Sequence, residues 1–253
     1  MFMPSAIGIR SRITFSGNVL WGNRPKALHH ALVTTTLVWA VLLGGCAAPA
    51  VPQPPTVATV LPTPAPTPTA GVAIRETFDT GTPSQLSIGD TANARLEIAD
   101  GQYQIGLQQP DVLVLSAFGG VYTDLAVEAE LRFVDPIETT TAGLLFRLAD
   151  EQNFYAYSLS SDGFYALEVC ERGEWRQLLA WTSWPTIDSR GGVNRMRVTL
   201  QGDQISLFLN NELLAQTVDT TFSTGRLALN ANTYATTGAR VTFDNVVASP
   251  LTE

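Results

Sequence analysis

Few side chains in this sequence could do chemistry, and their spacing is informative. Glu128 and Glu130 stand two apart within YTDLAVEAELRFV, residues 122–134. On an extended strand such a pair shares one face, with Cα atoms ~6.8 Å apart. Glycoside hydrolysis needs two carboxyls, about 5–5.5 Å apart for retention or roughly 6.5–9.5 Å for inversion. The pair therefore has a permissible catalytic geometry, and equally that of a solvated face balanced by Arg132. A second constellation is Arg147 with Glu168. Arg147 alternates with Gly143 and Leu145, and Glu168 with Phe164, Ala166 and Cys170. If both faces belong to one sheet surface, a bidentate Arg–carboxylate pair could orient sugar hydroxyls in a concave groove. The plainer alternative is a cross-strand ion pair. Trp181 and Trp184 lie in the irregular stretch AWTSWPT, residues 180–186. Exposed, they would stack on the apolar faces of sugars; buried, they would only pack.

Missing side chains exclude more than present ones suggest. The chain carries 15 Lys+Arg, 23 Asp+Glu and 2 His, a net charge of -8. Arg10, Arg12, Arg24, Lys26, His29 and His30 all precede Cys46, where there is no acid. From Cys46 onward the cations are 11 arginines against all 23 acids, a balance of -12 without Lys or His. That part can hold no Ser-His-Asp or Cys-His machinery, no His-ligated zinc and no lysine Schiff base. Its negative field repels phosphate backbones, so no nucleic-acid partner is expected.

The basic leader has its own logic. Residues 27–45 read ALHHALVTTTLVWAVLLGG, following Arg24 and Lys26. A basic region, an apolar run and a small-residue end form a secretion signal, here residues 1–45. The apolar run of about 15 residues is short of the ~20 that span a bilayer. Leu43-Gly44-Gly45-Cys46 resembles the lipobox of bacterial lipoproteins. That resemblance implies a diacylglyceryl thioether on Cys46, cleavage before it, and a chain anchored extracytoplasmically at the cell surface. Residues 46–72 are a Pro/Thr/Ala stalk without charge or periodicity, and are expected to be a disordered linker. Fully extended, it would hold a domain at most ~75 Å from the membrane. Cys170 then has no cysteine partner and is expected to be a packed thiol.

The remaining residues, 73–253, must position the candidate site. They read as strands throughout. Leu125, Val127, Ala129, Leu131 and Phe133 alternate with polar residues, which predicts one buried and one solvated face. Tyr155, Tyr157, Tyr165 and Leu167 alternate as core. Asp100-Gly101, Asp162-Gly163, Arg172-Gly173, Gly202-Asp203 and Asn210-Asn211 stand between such runs and predict tight hairpin turns. About a dozen short strands at even spacing predict an all-β, antiparallel two-sheet sandwich.

Several motifs occur in order: Phe78-Asp79, Asp100-Gly101-Gln102-Tyr103, Ala142-Gly143-Leu144-Leu145-Phe146-Arg147, Asn153-Phe154-Tyr155, Leu209-Asn210 and Phe243-Asp244-Asn245. Together they resemble the concanavalin A-like lectin/glucanase jelly roll. The nearest resemblance is to its laminin-G-like and 3-keto-disaccharide-hydrolase-like domains. The resemblance covers nearly all of residues 74–249. It implies a jelly-roll β-sandwich that binds glycans, hydrolyses them or serves as an extracellular module. Glucanases of this superfamily carry a Glu-x-Asp-x-Glu strand; Glu128-Ala129-Glu130-Leu131-Arg132 lacks its middle acid and third glutamate. Jelly rolls pair their terminal strands, so Asp79 and Asp244 could share a structural calcium, or simply cap turn amides. No other cofactor is expected. The leading expectation is non-catalytic binding of a glycan or other surface ligand. Hydrolysis by Glu128 and Glu130, and a purely structural module, are the alternatives.

Overall fold

The computed structural model describes residues 56–59, 73–79, 84–135, 140–234 and 237–251. Cys46, the leader and most of the expected linker lie outside them. In chain order the strands are β1 Thr56–Thr59, β2 Ile74–Glu76, β3 Gly89–Asp90, β4 Ala94–Ala99 and β5 Gln102–Leu107. Next come β6 Val112–Tyr122, β7 Leu125–Asp135, β8 Thr140–Asp150, β9 Asn153–Ser160, β10 Phe164–Glu171 and β11 Glu174–Ser183. The last five are β12 Asn194–Gln201, β13 Gln204–Leu209, β14 Glu212–Val218, β15 Gly225–Thr233 and β16 Arg240–Pro250. One sheet runs β1-β6-β15-β8-β9-β10-β11; the other runs β14-β13-β12-β7-β16-β5-β4-β3, with β2 on β16. The predicted antiparallel sandwich is therefore the observed one.

The turns form where the sequence places them. Asp100 and Gly101 join β4 to β5 at φ 54° and 70°; Asn210 and Asn211 join β13 to β14 at 50° and 68°. Two consecutive positive φ values match the right-handed twist of the flanking strands, and Asn, Asp and Gly tolerate them best. The alternating face of β7 is buried from Leu125 to Phe133, against Leu144 and Phe146 of the opposite sheet. Tyr155 and Tyr157 fill the same inter-sheet core; Tyr155 stacks on Phe146 at 5.3 Å. Each such side chain contributes roughly 1.5–3 kcal/mol when fully buried. The Tyr157 hydroxyl donates to the Phe208 carbonyl of the facing sheet at 3.2 Å, so its buried oxygen is satisfied.

The seven-stranded sheet also carries apolar side chains on its outer face. Leu113, Leu115, Leu145, Phe154, Ala156, Cys170 and Ala228 form a second buried cluster, with Trp175 half-buried against it. Burial pushes the Cys170 thiol up to about 12, so it is a packed, unreactive group.

One feature differs from the expected linker. Thr56–Thr59 pairs in parallel with Val112–Leu115 at the edge of the seven-stranded sheet. An edge strand offers a row of unpaired backbone groups, and Thr-Val-Ala-Thr is extended enough to take them. Deleting residues 56–59 is expected to speed amide exchange across Val112–Leu115 and to leave the thermal midpoint of the sandwich nearly unchanged. Hydrogen–deuterium exchange with a parallel melt checks this.

Candidate functional site

Period-two alternation gives each strand of the seven-stranded sheet an inner and an outer set of side chains. On β10, Leu167 and Val169 point into the inter-sheet core, so Glu168 stands on the outer face with Cys170. Its register partners are Ala156 on β9 and Gln177 on β11. Further along the same row are Leu145 and Ala228. The next row is Asn230, Gly143, Ser158 and Ala166, and the one beyond holds Asn232, Thr141 and Ser160. The face thus has a floor of small and apolar residues edged by amides, hydroxyls and one carboxylate. From β15 to β10 is three inter-strand steps, roughly 14 Å.

These polar groups are buried: Glu168 is 6% exposed, Asn230 1% and Asn232 3%. Two of their atoms, Asn230 Nδ2 and Asn232 Oδ1, have no hydrogen-bond partner among the described residues. Such orphans cost about 1–3 kcal/mol each and call for an explanation. The Gln177 amide donates to Glu168 Oε1 at 3.5 Å. Burial dominates the Glu168 carboxyl and lifts it from an ordinary 4.5 to about 7, against a small opposing effect of Gln177. Tyr234 follows β15 and lies near Thr141 and Asn232; burial, then the nearby Glu168 charge, raise its hydroxyl above the ordinary range.

Arg147 does not join Glu168. A β-bulge interrupts β8 between Phe146 and Asp150, and Arg147 sits in it at φ 49°. The bulge turns the side chain away from the face of Leu145. Its guanidinium is 1% exposed and donates to the carbonyls of Phe222, at 2.8 Å, and Gly202. Gly202 lies in the β12–β13 turn of the other sheet, so Arg147 ties the two sheets together at one end of the sandwich. The expected Arg147–Glu168 pair is corrected on this ground. The same end holds a longer network. Tyr155 Oη accepts from the Phe222 amide at 3.1 Å and donates to Asp219 Oδ1 at 2.6 Å, while Arg176 Nη2 lies 2.9 Å from Asp219 Oδ2. Burial alone would raise the Asp219 carboxyl, but bonds from Thr221, Tyr155 and Arg176 together outweigh it and hold it well below the usual range.

The tryptophans separate as well. Trp184 packs edge-on against Tyr165 at 6.1 Å and borders the inter-sheet core, so it serves packing. Ala180 and Trp181 span a register shift opposite Ala166, beside Glu168 on β10. Trp181 is half-buried, and its indole N–H has no acceptor. The expected grouping of Arg147, Glu168, Trp181 and Trp184 thus reduces to Glu168 with Trp181 on neighbouring strands.

Glu128 and Glu130 lie on the outer face of the other sheet. Arg195 and Arg197, directly opposite on β12, approach Glu130 and Glu128 at 3.0 and 3.6 Å. Arg132 does not balance them as expected; it donates to the Gly191 carbonyl at 3.1 Å. Changing both glutamates to Gln is expected to shift stability by under about 1 kcal/mol and to leave any ligand affinity unchanged, since exposed ion pairs contribute little. Urea melts and binding titrations check this. Asp244 is raised by burial, then by Glu130 and Asp79, which places the two terminal aspartates within electrostatic reach. Among the described residues, no group of three or more His, Cys, Asp or Glu side chains is arranged to hold a metal ion.

Sequence reading missed Asn230, Asn232, Gln177 and Tyr234. The signal existed: Leu227, Leu229 and Ala231 alternate with Ala228, Asn230 and Asn232, so one face of β15 turns polar partway along. An asparagine pair at period two inside an otherwise apolar strand is the pattern to look for.

Neither a family model nor a curated protein matches the chain. Solved structures do. Over 63% of this chain and 94% of its own, a carbohydrate binding module, CBM66 from Bacillus subtilis, superposes with TM-score 0.53 at 20% identity. A β-glucanase from Bacillus licheniformis superposes with TM-score 0.56 at 10% identity, covering 72% of this chain and 99% of its own. A native glycosidic hydrolase gives 0.55 at 9% identity, covering 72% and 97%. The domain shares the two-sheet β-sandwich fold of these proteins. Identities this low establish the shared fold and leave function to the site. The face holding Glu168, Asn230 and Asn232 combines unmet amide hydrogen-bonding capacity with a carboxylate that no arginine approaches among the described residues, whereas Glu128 and Glu130 each face an arginine.

Proposed function

We propose that this concanavalin A-like domain binds a glycan on the outer face of its seven-stranded sheet, without hydrolysing it. In this reading Cys46 anchors the chain at an extracytoplasmic membrane surface through a diacylglyceryl thioether. The carrying observation is the pair of buried, unpartnered amide atoms, Asn230 Nδ2 and Asn232 Oδ1, on a face floored by small side chains. A donor and an acceptor left open near each other suit the hydroxyls of a sugar, each of which donates and accepts. Apolar floors edged by a few placed polar groups are the usual composition of ligand sites. The architecture it shares with a carbohydrate binding module supports the same reading. The distribution of acids argues against hydrolysis: Glu168 stands without a second carboxylate on its strand row, and glycosidases need two.

A glycan array probed with residues 71–253 tests the proposal, followed by titration of hits against Asn230→Ala/Asn232→Ala. Binding that falls about tenfold or more in the double variant is expected, since each lost buried partner removes roughly 1–3 kcal/mol. An array that stays blank at high protein concentration would sink the reading. For the anchor, incorporation of a palmitate analogue into the full chain should disappear in Cys46→Ser.

A further inference from the structure

We propose that the glycan carries free primary amines, and that an ammonium group of an amino sugar pairs with the Glu168 carboxylate. The proposal rests on the glycan-binding reading above and names the ligand class for that same face.

The starting point is a buried acid without a cation. Glu168 is 6% exposed, and its hydrogen-bond partner among the described residues is the neutral Gln177 amide at 3.5 Å. A buried carboxylate is costly unless paired, and is otherwise kept neutral by protonation. Ordinarily a neighbouring Arg, Lys or His would balance it. From Cys46 onward this sequence has no Lys or His. The nearby arginines are committed: Arg147 to the carbonyls of Phe222 and Gly202, Arg176 to Asp219, and Arg226 to the Gly119 carbonyl at 3.4 Å. The described residues thus build a charge site on this face and supply no counter-charge to it.

Three independent features agree on what would supply it. Asn232 Oδ1 is a buried acceptor and Asn230 Nδ2 a buried donor, both unpartnered among the described residues, so the face suits a ligand that brings donors as well as acceptors. Trp175 stands on the same outer face, opposite Cys170 and one row from Glu168, and aromatic faces attract ammonium groups. The sequence from Cys46 onward has a net charge of -12, a long-range field that concentrates polycations and repels uronates and phosphates. A neutral glycan would satisfy the amides and leave the carboxylate uncompensated. An N-acetylated one would bring an amide where a charge is needed. A de-N-acetylated hexosamine polymer brings the ammonium, the hydroxyl donors and the apolar ring face together.

The test uses three probes of matched length with residues 71–253: a glucosamine oligomer, its fully N-acetylated form and a neutral gluco-oligosaccharide. Isothermal titration is expected to show the glucosamine oligomer binding more than about tenfold tighter than the other two. Glu168→Gln should bring it down to their level, with a melting curve showing that the variant is folded. Glu128→Gln/Glu130→Gln removes two charges from the opposite sheet and should leave affinity unchanged; an equal loss there would mean unspecific attraction and overturn the inference. Equal binding of all three probes, unaffected by Glu168→Gln, would also overturn it while leaving the glycan reading intact. Absence of binding by every probe here, together with a blank array, would remove both.

Discussion

Replacing Arg147 by Ala is expected to destabilise the sandwich by roughly 4 kcal/mol, the largest single-site effect outside the apolar core. Hydrogen bonds from a charged donor contribute about 1.5–3 kcal/mol each. Arg147 makes two, to the Phe222 and Gly202 carbonyls, and both acceptors would be left inside the end of the sandwich without a donor. The loss would spread, because Phe222 is also held by Tyr155 and Asp219. Lys at this position has one ammonium and cannot span both carbonyls with a planar fork, so Arg147→Lys should recover only part of the loss. Backbone geometry makes the position harder to replace. The bulge brings the Arg147 carbonyl carbon within 2.2 Å of where a Cβ on Gly225 would sit, so only glycine lets β15 pass there. Urea unfolding of Arg147→Ala and Arg147→Lys checks the magnitude and the order.

Glu168→Gln should do the opposite, and in a pH-dependent way. The folded protein holds the Glu168 proton up to about 7, whereas the unfolded chain releases it near 4.5. Between those values the native state binds more protons than the unfolded state, so stability falls as pH rises through that window. The gap is worth roughly 3 kcal/mol once pH exceeds both values. The charged and polar groups facing Glu168 are Gln177 from β11 and Tyr234 after β15; neither brings a positive charge to offset this. Gln keeps the shape and cannot ionise. Glu168→Gln is therefore expected to match the wild type at pH 5 and to exceed it by up to about 3 kcal/mol at pH 8. Denaturant midpoints at the two pH values give the answer. Asp219 works in the reverse direction. Its carboxyl is held low in the native state, so its contribution is present above the unfolded value and is lost as pH falls. A wild type most stable in mildly acidic solution follows from the two together. Glu168 thus costs the native state stability above neutral pH, a cost that the proposed pairing with a bound cation would offset.

Much of the sandwich was legible because strand alternation is a local signal. Tyr155, Tyr157 and Leu167 were assignable to the core from parity alone, and parity also put Glu168 on the opposite face. The Asp100-Gly101 and Asn210-Asn211 turns were legible because few residue types accept two positive φ values in succession. Parity failed at Arg147. The extra residue of the β8 bulge is a pairing event between strands far apart in sequence, and nothing in AGLLFRLAD announces it. Trp184 was ambiguous for a related reason: whether an aromatic in an irregular stretch packs or protrudes depends on what lies above it, here Tyr165.

By itself the sequence determined the chemistry available and the fold class. From Cys46 onward the acidic sequence has no Lys or His and cannot run most catalytic machinery, and period-two runs broken by hairpin turns can only pack as sheets. The tertiary structure decided which polar groups meet. It separated Glu128 and Glu130 from Glu168 by placing them on different sheets, and it sent Arg147 to the end of the sandwich. It also aligned Asn230, Asn232 and Glu168 on one face, although more than sixty residues of chain separate the first and last. Register across β15, β8, β9 and β10 sets that alignment, and register is a property of strand pairs rather than of any one strand.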